Sequence, residues 1–214
     1  MRIIKSTIIL LGILFLSNRA NAQPVMGNKA PTFFLRTLNG DSFFLSRHVG
    51  ESAKPGQQQP IVLSFFATWC IPCKAEIPIL HQLQENYPEV KFLLVNVEEK
   101  SDLVNKYVQA NSITLPILMD MYSVVAKKFG IVNEKNVAVL PQLAVIDKSG
   151  DLVYLHEGYE PGDEEALEGT LRALLNAASP AAVQGDGTPA TETPAEAPGN
   201  GVEEETGEQE KTPS

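Results

Sequence analysis

The chain has 214 residues, a formal net charge of −9 and only two cysteines. An acidic balance argues against nucleic acid as a partner, because a polyanion is held by basic surface. A single cysteine pair excludes a disulfide-rich scaffold, and without further cysteines it falls short of the four ligands that zinc takes.

Arg2 and Lys5 precede an apolar run over residues 8–16, and Ala20-Asn21-Ala22 offers small residues to a signal peptidase. This predicts a signal peptide over residues 1–22, cleaved after Ala22, and a periplasmic or otherwise exported body. The alternative is an uncleaved membrane tether, for which the run is short of the roughly 20 residues of a full span. No cysteine lies near enough to carry a lipoprotein anchor.

The body, residues 23–178, has the size of one domain. Phe33-Phe34-Leu35-Arg36-Thr37 and Ser42-Phe43-Phe44-Leu45 flank Asn39-Gly40, which predicts a β-hairpin. Residues 46–60 are polar and rich in Gly, Gln and Pro, and read as a loop. Ile61-Val62-Leu63-Ser64-Phe65-Phe66 is a continuous run with the character of a strand buried on both faces. Trp69-Cys70-Ile71-Pro72-Cys73 follows at once. It opens a helical pattern on Ile77, Leu80 and Leu83 that runs to about Asn86 and should kink at Pro78. A second buried strand is expected over 90–97. Leu103, Val104, Tyr107 and Val108 then mark an amphipathic helix, with Ser101 as its cap and Asp102 in its first turn. A further helix over 122–129 should end at Gly130. Strands at 143–146 and 152–156 meet across Lys148-Ser149-Gly150. Leu167, Leu171, Leu174 and Leu175 give a last helix. The order of hairpin, βαβ, helix, β-hairpin and helix predicts an α/β fold with a central mixed sheet flanked by helices.

From Ser179 the composition changes to Pro, Gly, Ala, Thr and Glu, with eight carboxylates against Lys211. Such a segment has too little apolar area to offset its ordering entropy. Residues 179–214 are therefore expected to be a disordered acidic tail, either a solvated extension or an interaction arm.

Two cysteines separated by two residues meet in one small ring, which constrains little of the unfolded chain. The following helix aims its N–H groups and positive dipole end at the first sulfur, which stabilises a thiolate there. Cys70 is thus expected to be the exposed nucleophile. Cys73, one turn in, is expected to be the resolving thiol that releases a mixed disulfide. Ile71-Pro72 adds neither charge nor imidazole, so the Cys70 thiol should be depressed only moderately. His48, His81 and His156 are scattered along the chain, so neither a metal nor a cofactor is expected.

With Trp69 before the pair, Pro78 after it and Leu140-Pro141 later, the chain resembles the TlpA/ResA-like branch of thioredoxin-fold thiol–disulfide oxidoreductases. The resemblance runs from about Gly27-Asn28-Lys29-Ala30-Pro31-Thr32-Phe33 to the final helix near Leu175. It is strongest over Phe65-Phe66-Ala67-Thr68-Trp69-Cys70-Ile71-Pro72-Cys73-Lys74-Ala75-Glu76-Ile77-Pro78. It implies a thioredoxin fold with the hairpin added at its N-terminus, and a redox-active Cys70–Cys73 disulfide. It also implies a cis Pro141 facing that pair, and a Leu140 whose backbone meets an extended client chain. Trp69, on its residue type a partly buried aromatic beside the motif, would with Pro72 shape the surface that clients meet.

Two departures stand out. Ser64 occupies the position where thioredoxin has a buried Asp. The ResA-like pattern instead places a Glu after the second βαβ strand, where this chain has Glu98 and Glu99. Glu99 fits without a gap. Partly buried near Cys73, it would have a raised pKa and take that thiol's proton; otherwise both are solvated charges at a strand end. The second departure is residues 131–140, longer than the usual approach to the cis-proline, with Gln142 in place of Thr. Client preference is therefore not inherited.

The resemblance implies an exported reductant of protein disulfides, with clients such as apocytochromes c and a membrane protein as electron donor. A disulfide-forming oxidase on the same site and a non-catalytic binding module with a structural cysteine pair are the alternatives. Ala67, where a peroxidatic cysteine would be preceded by Thr, argues against a peroxidase.

Overall fold

The computed structural model describes residues 24–133, 135 and 137–178. The expected signal peptide and acidic tail lie outside the described residues.

Seven strands form one sheet: β1 (Phe34–Thr37), β2 (Ser42–Phe44), β3 (Ile61–Phe66), β4 (Lys91–Val97), β5 (Ile117–Asp120), β6 (Gln142–Ile146) and β7 (Leu152–Glu157). Their order across the sheet is β2-β1-β5-β4-β3-β6-β7. The helices are α1 (Ile71–Asn86), α2 (Ser101–Ala110), α3 (Val124–Lys128) and α4 (Asp163–Ala178). Strands β3, β4 and β5 are parallel, and β6, β7 and the β1–β2 hairpin add antiparallel edges. This is the thioredoxin arrangement, a mixed sheet flanked by helices, with the added N-terminal hairpin.

Strand β3 is buried along its whole length, as its unbroken apolar run predicts. Successive side chains feed two cores. Ile61, Leu63 and Phe65 join Phe33, Phe43 and Phe129 on one face. Val62 and Phe66 join both cysteines, Ile77, Leu80, Leu167 and Leu171 on the other. The second core lies beneath α1 and α4 and holds the functional motif in place.

Strand β5 is not legible as a strand in the sequence. It is four residues long, follows Pro116 and shows no alternation. All four residues are buried: Ile117 and Met119 pack into one core and Leu118 into the other, while β4 and β1 pair with its two edges. It is the strand that attaches the N-terminal hairpin to the sheet.

Most strand ends fall within one residue of expectation, and three boundaries have a particular structural reason. Leu45 belongs to a short 3₁₀ turn rather than to the hairpin. Helix α2 begins at Ser101 itself, with Lys100 at the cap position and no side-chain cap bond. Helix α3 is shorter than residues 122–129, because the buried Asp120 carboxylate accepts from the N–H groups of Val124 (2.8 Å), Val125 (2.9 Å) and Ala126 (2.8 Å) and fixes its start. Gly130, at φ 73°, follows this helix as expected.

Because β3, β4 and β5 are parallel, the segments after them emerge at one edge of the sheet. That edge gathers Thr68 to Cys73, Glu98 and Glu99, and Ser123. Strand β6 runs the other way and begins there, with Gln142 opposite Phe65.

Candidate active site

Cys70 is the N-cap of α1 and Pro72 sits in its first turn, where a missing N–H costs nothing. Cys70 and Cys73 are joined as a disulfide, with their Cα atoms 5.3 Å apart. The Cys73 N–H donates to the Cys70 Sγ at 3.2 Å. The first sulfur therefore faces the helix N-terminus, the environment that favours its thiolate once the bond opens.

Two expectations about exposure are corrected. Cys70 is not exposed in the disulfide form: it is 3% accessible and Cys73 is 0%. Trp69 is not partly buried but 65% exposed, and Ile71 is 78% exposed. Pro72 is also exposed. The ring is thus set into the core, and the apolar side chains beside it stand out into solvent.

The Leu140–Pro141 peptide is cis. Pro141 is buried, and its carbonyl accepts from the Gly158 N–H at 2.9 Å. Leu140 packs against the core cluster that contains both cysteines. Among the described residues, neither its N–H nor its C=O makes a backbone hydrogen bond. Within the long approach to this proline, Val132 and Ala138 form an isolated antiparallel bridge. The Asn133 Oδ1 accepts from the N–H groups of Lys135 and Val137, at 2.9 and 3.0 Å. Val137 and Val139 project from it into solvent.

Glu99 is 7% exposed. It accepts from the Thr68 N–H at 2.7 Å, the Thr68 hydroxyl at 2.5 Å and the Asn96 Nδ2 at 2.6 Å. The reading of Glu99 as a solvated charge is therefore wrong. It ties the end of β4 to the residue two before Cys70, and none of these bonds reaches a cysteine. Glu98 is exposed at φ 62° and accepts from the Ser123 hydroxyl. We expect Glu99→Ala to leave the Thr68 N–H and the Asn96 amide without partners and to cost about 1–3 kcal/mol. Glu99→Gln keeps the cradle, since the Thr68 hydroxyl can turn to accept, and should melt near wild type. Thermal denaturation checks this; equal melting of the two variants contradicts it.

The residue missed from the sequence is Glu76. It lies on α1 one turn beyond Cys73 and on the same face, yet it is only 3% exposed. The Ser64 hydroxyl donates to its Oε2 at 2.6 Å. Burial pushes its carboxyl from 4.5 up to about 7, opposed by the Ser64 hydrogen bond and by nearby His156, and assisted by Asp163. The buried acid absent from β3 at Ser64 is thus supplied from across the core by α1. The only sequence signal was a glutamate at the position where the apolar stripe of the helix needed a core residue.

Among the described residues, no group of three His, Cys, Asp or Glu is placed to hold a metal ion. Within the same residues, no helix is long and apolar enough to cross a membrane.

A disulfide ring at a helix N-terminus, in the same core as a cis-proline segment on a mixed sheet of this topology, defines a thioredoxin-fold thiol–disulfide oxidoreductase. The chain belongs to the AhpC/TSA family, whose model matches residues 26–155. It is 32% identical over 135 residues to the thiol–disulfide oxidoreductase ResA of Geobacillus kaustophilus, covering 62% of this chain and 70% of that protein. It is 26% identical over 154 residues to the sporulation thiol–disulfide oxidoreductase A of Bacillus subtilis, covering 69% and 88%. The crystal structure of a protein assigned as thiol:disulfide interchange protein DsbE from Chlorobium tepidum matches with a TM-score of 0.61 at 27% identity, over 72% of this chain and 99% of that one.

Proposed function

We propose that this chain is exported and reduces disulfides in specific protein clients, apocytochromes c among them, through a Cys70/Cys73 dithiol–disulfide cycle. The observation that carries the reading is the ring itself: two cysteines closed on each other at the N-cap of α1, with a helix N–H on the first sulfur. The Cys70 thiolate attacks a client disulfide, forms a mixed disulfide and releases one client thiolate. Cys73 then gives up its proton and attacks the Cys70 Sγ, which frees the second client sulfur and restores the ring. Two electrons pass to the client.

A sulfur with no exposure cannot hold an anion cheaply, so Cys73 needs a proton acceptor nearby. Glu76 is suited to it: it is on the same helix face, and its carboxyl is poised near pH 7. Glu99 holds Thr68 and adds a second buried carboxylate at this edge; a shifted pH profile of exchange in Glu99→Gln would mark it as catalytic as well as structural. The Leu140 backbone beside cis Pro141, without a backbone partner among the described residues, suits strand addition by an extended client segment. Trp69, Pro72 and Ile71 supply the exposed apolar surface it would meet first.

The leader at residues 1–22 supports export, and the mature chain should then begin at Gln23, which N-terminal sequencing of the secreted protein checks. An exported reductant lies outside the reach of cytosolic thiols, so a membrane protein must bring it electrons. The tail over residues 179–214 has little apolar area to bury. Its deletion should leave melting temperature and exchange rate unchanged, and a drop in either would mean that it docks on the body. The functional test is turnover: the full chain should accelerate insulin reduction by dithiothreitol, and a rate equal to the uncatalysed one would defeat the proposal.

A further inference from the structure

Glu76 is enclosed, and a carboxyl that gains and loses a proton once per cycle needs a route to water. A narrow cavity leads from it to the surface and leaves about 20 Å³ for the centre of a water molecule, enough for one bridging water. Apolar side chains of α1, β6 and α4 line part of its wall. The titratable groups facing Glu76 in it are Tyr154 and His156 from β7, Tyr159 from the following loop, and Asp163 and Glu164 from α4. The Ser64 hydroxyl is engaged with Glu76 itself.

These groups are not equivalent as proton carriers. Burial pushes both tyrosine hydroxyls upward, so they stay protonated. The Glu160 N–H, with His156, holds Asp163 below the usual carboxylate range, so it stays ionised. The Glu164 carboxylate is engaged by the Gly162 N–H at 2.9 Å. Histidine has two ring nitrogens, so one can take up a proton while the other gives one away. The His156 Nε2 lies 3.0 Å from the Asp163 Oδ2, and its side chain is 35% exposed. It lines the cavity and reaches solvent.

We propose that His156, oriented by Asp163, is the relay through which Glu76 exchanges its proton with solvent during each redox cycle. This rests on the dithiol–disulfide reading above. In the resolving step the Cys73 S–H proton moves to the Glu76 carboxylate. The Cys73 sulfur forms its bond to the Cys70 Sγ, and the bond from Cys70 to the client breaks with its electron pair on the client sulfur. The Glu76 proton then passes through the cavity to the His156 imidazole and to water. When a donor reduces the ring, the same path runs inward: the donor thiolate bonds to Cys70, Cys73 leaves with the electron pair, and Glu76 protonates it and is reloaded through His156. His156 touches no reacting sulfur and acts through Glu76.

Trp69 is the sole tryptophan and is adjacent to Cys70, so its fluorescence reports opening of the ring by dithiothreitol in stopped flow. His156→Ala should slow this step roughly tenfold at pH 7, and added imidazole should restore the rate in proportion to its concentration. His156→Gln, which keeps a donor for Asp163 but cannot carry the proton, should be equally slow. Glu76→Gln should not respond to imidazole. A wild-type rate in His156→Gln overturns the relay, as does a slow, normally melting His156→Ala that imidazole does not rescue. Both results leave the dithiol–disulfide reading standing. A wild-type chain without exchange activity overturns both.

Discussion

Cys70→Ser should abolish exchange, lowering the rate on the order of a thousandfold or more, while Cys73→Ser should retain attack but accumulate mixed disulfides. The asymmetry follows from position on α1. Cys70 is the N-cap and its sulfur receives the Cys73 N–H, so its thiolate is the stabilised one. Cys73 lies within the helix and has no exposure. The sulfur bonded to it is that of Cys70, which suits the proposed task of releasing what Cys70 has bound. Incubation of each variant with a disulfide-bonded client, followed by non-reducing electrophoresis, checks this. Trapped client on Cys70→Ser rather than on Cys73→Ser would reverse the roles, and trapping on neither would remove the cycle.

The second large effect is opposite in sign for stability and activity. The folded protein holds the Glu76 proton up to about pH 7, whereas the unfolded chain releases it near 4.5. Between those values the folded state binds more protons, so wild-type stability falls as pH rises through this window and the loss is complete above it. Glutamine keeps an acceptor for the Ser64 hydroxyl and cannot ionise. Glu76→Gln should therefore match wild type below about pH 4.5 and be more stable above pH 7 by on the order of 1–3 kcal/mol. It should also slow resolution by Cys73, because the proton acceptor is gone. Urea denaturation of the oxidised proteins at pH 4, 6 and 8 reads the first effect. A stability difference that does not change across that range contradicts it.

The parts of the fold that local chemistry determines were legible. Asn39-Gly40 between two Phe-rich runs fixes the hairpin, and the continuous run of β3 fixes its burial. Trp69-Cys70-Ile71-Pro72-Cys73 carries the ring, and through the family resemblance Leu140-Pro141 carries the cis peptide. What escaped depends on partners distant in sequence. Ile117-Leu118-Met119-Asp120 becomes a strand because β1 and β4 bracket it. Glu76 falls on the apolar stripe of its helix, but the Ser64 hydroxyl that meets it and the β7 residues that face it come from distant segments. Trp69 reads as an aromatic for packing, yet the ring beside it sinks into the core while the indole remains outside. Asp120 caps α3 across a backbone turn at Ser123, at φ 53°, which no periodicity announces.

We propose that Cys70 and Cys73 form a reducing pair. Ile71-Pro72 offers the Cys70 thiolate neither charge nor imidazole. Strong oxidants owe their potential to extra stabilisation of the reduced form, so its absence here points to a lower value. Equilibration of the oxidised chain in graded redox buffers, read by Trp69 fluorescence or thiol alkylation, gives the potential directly. A reducing pair should show a value toward that of thioredoxin, about −270 mV, and a value toward the about −120 mV of a strong disulfide oxidant would contradict it.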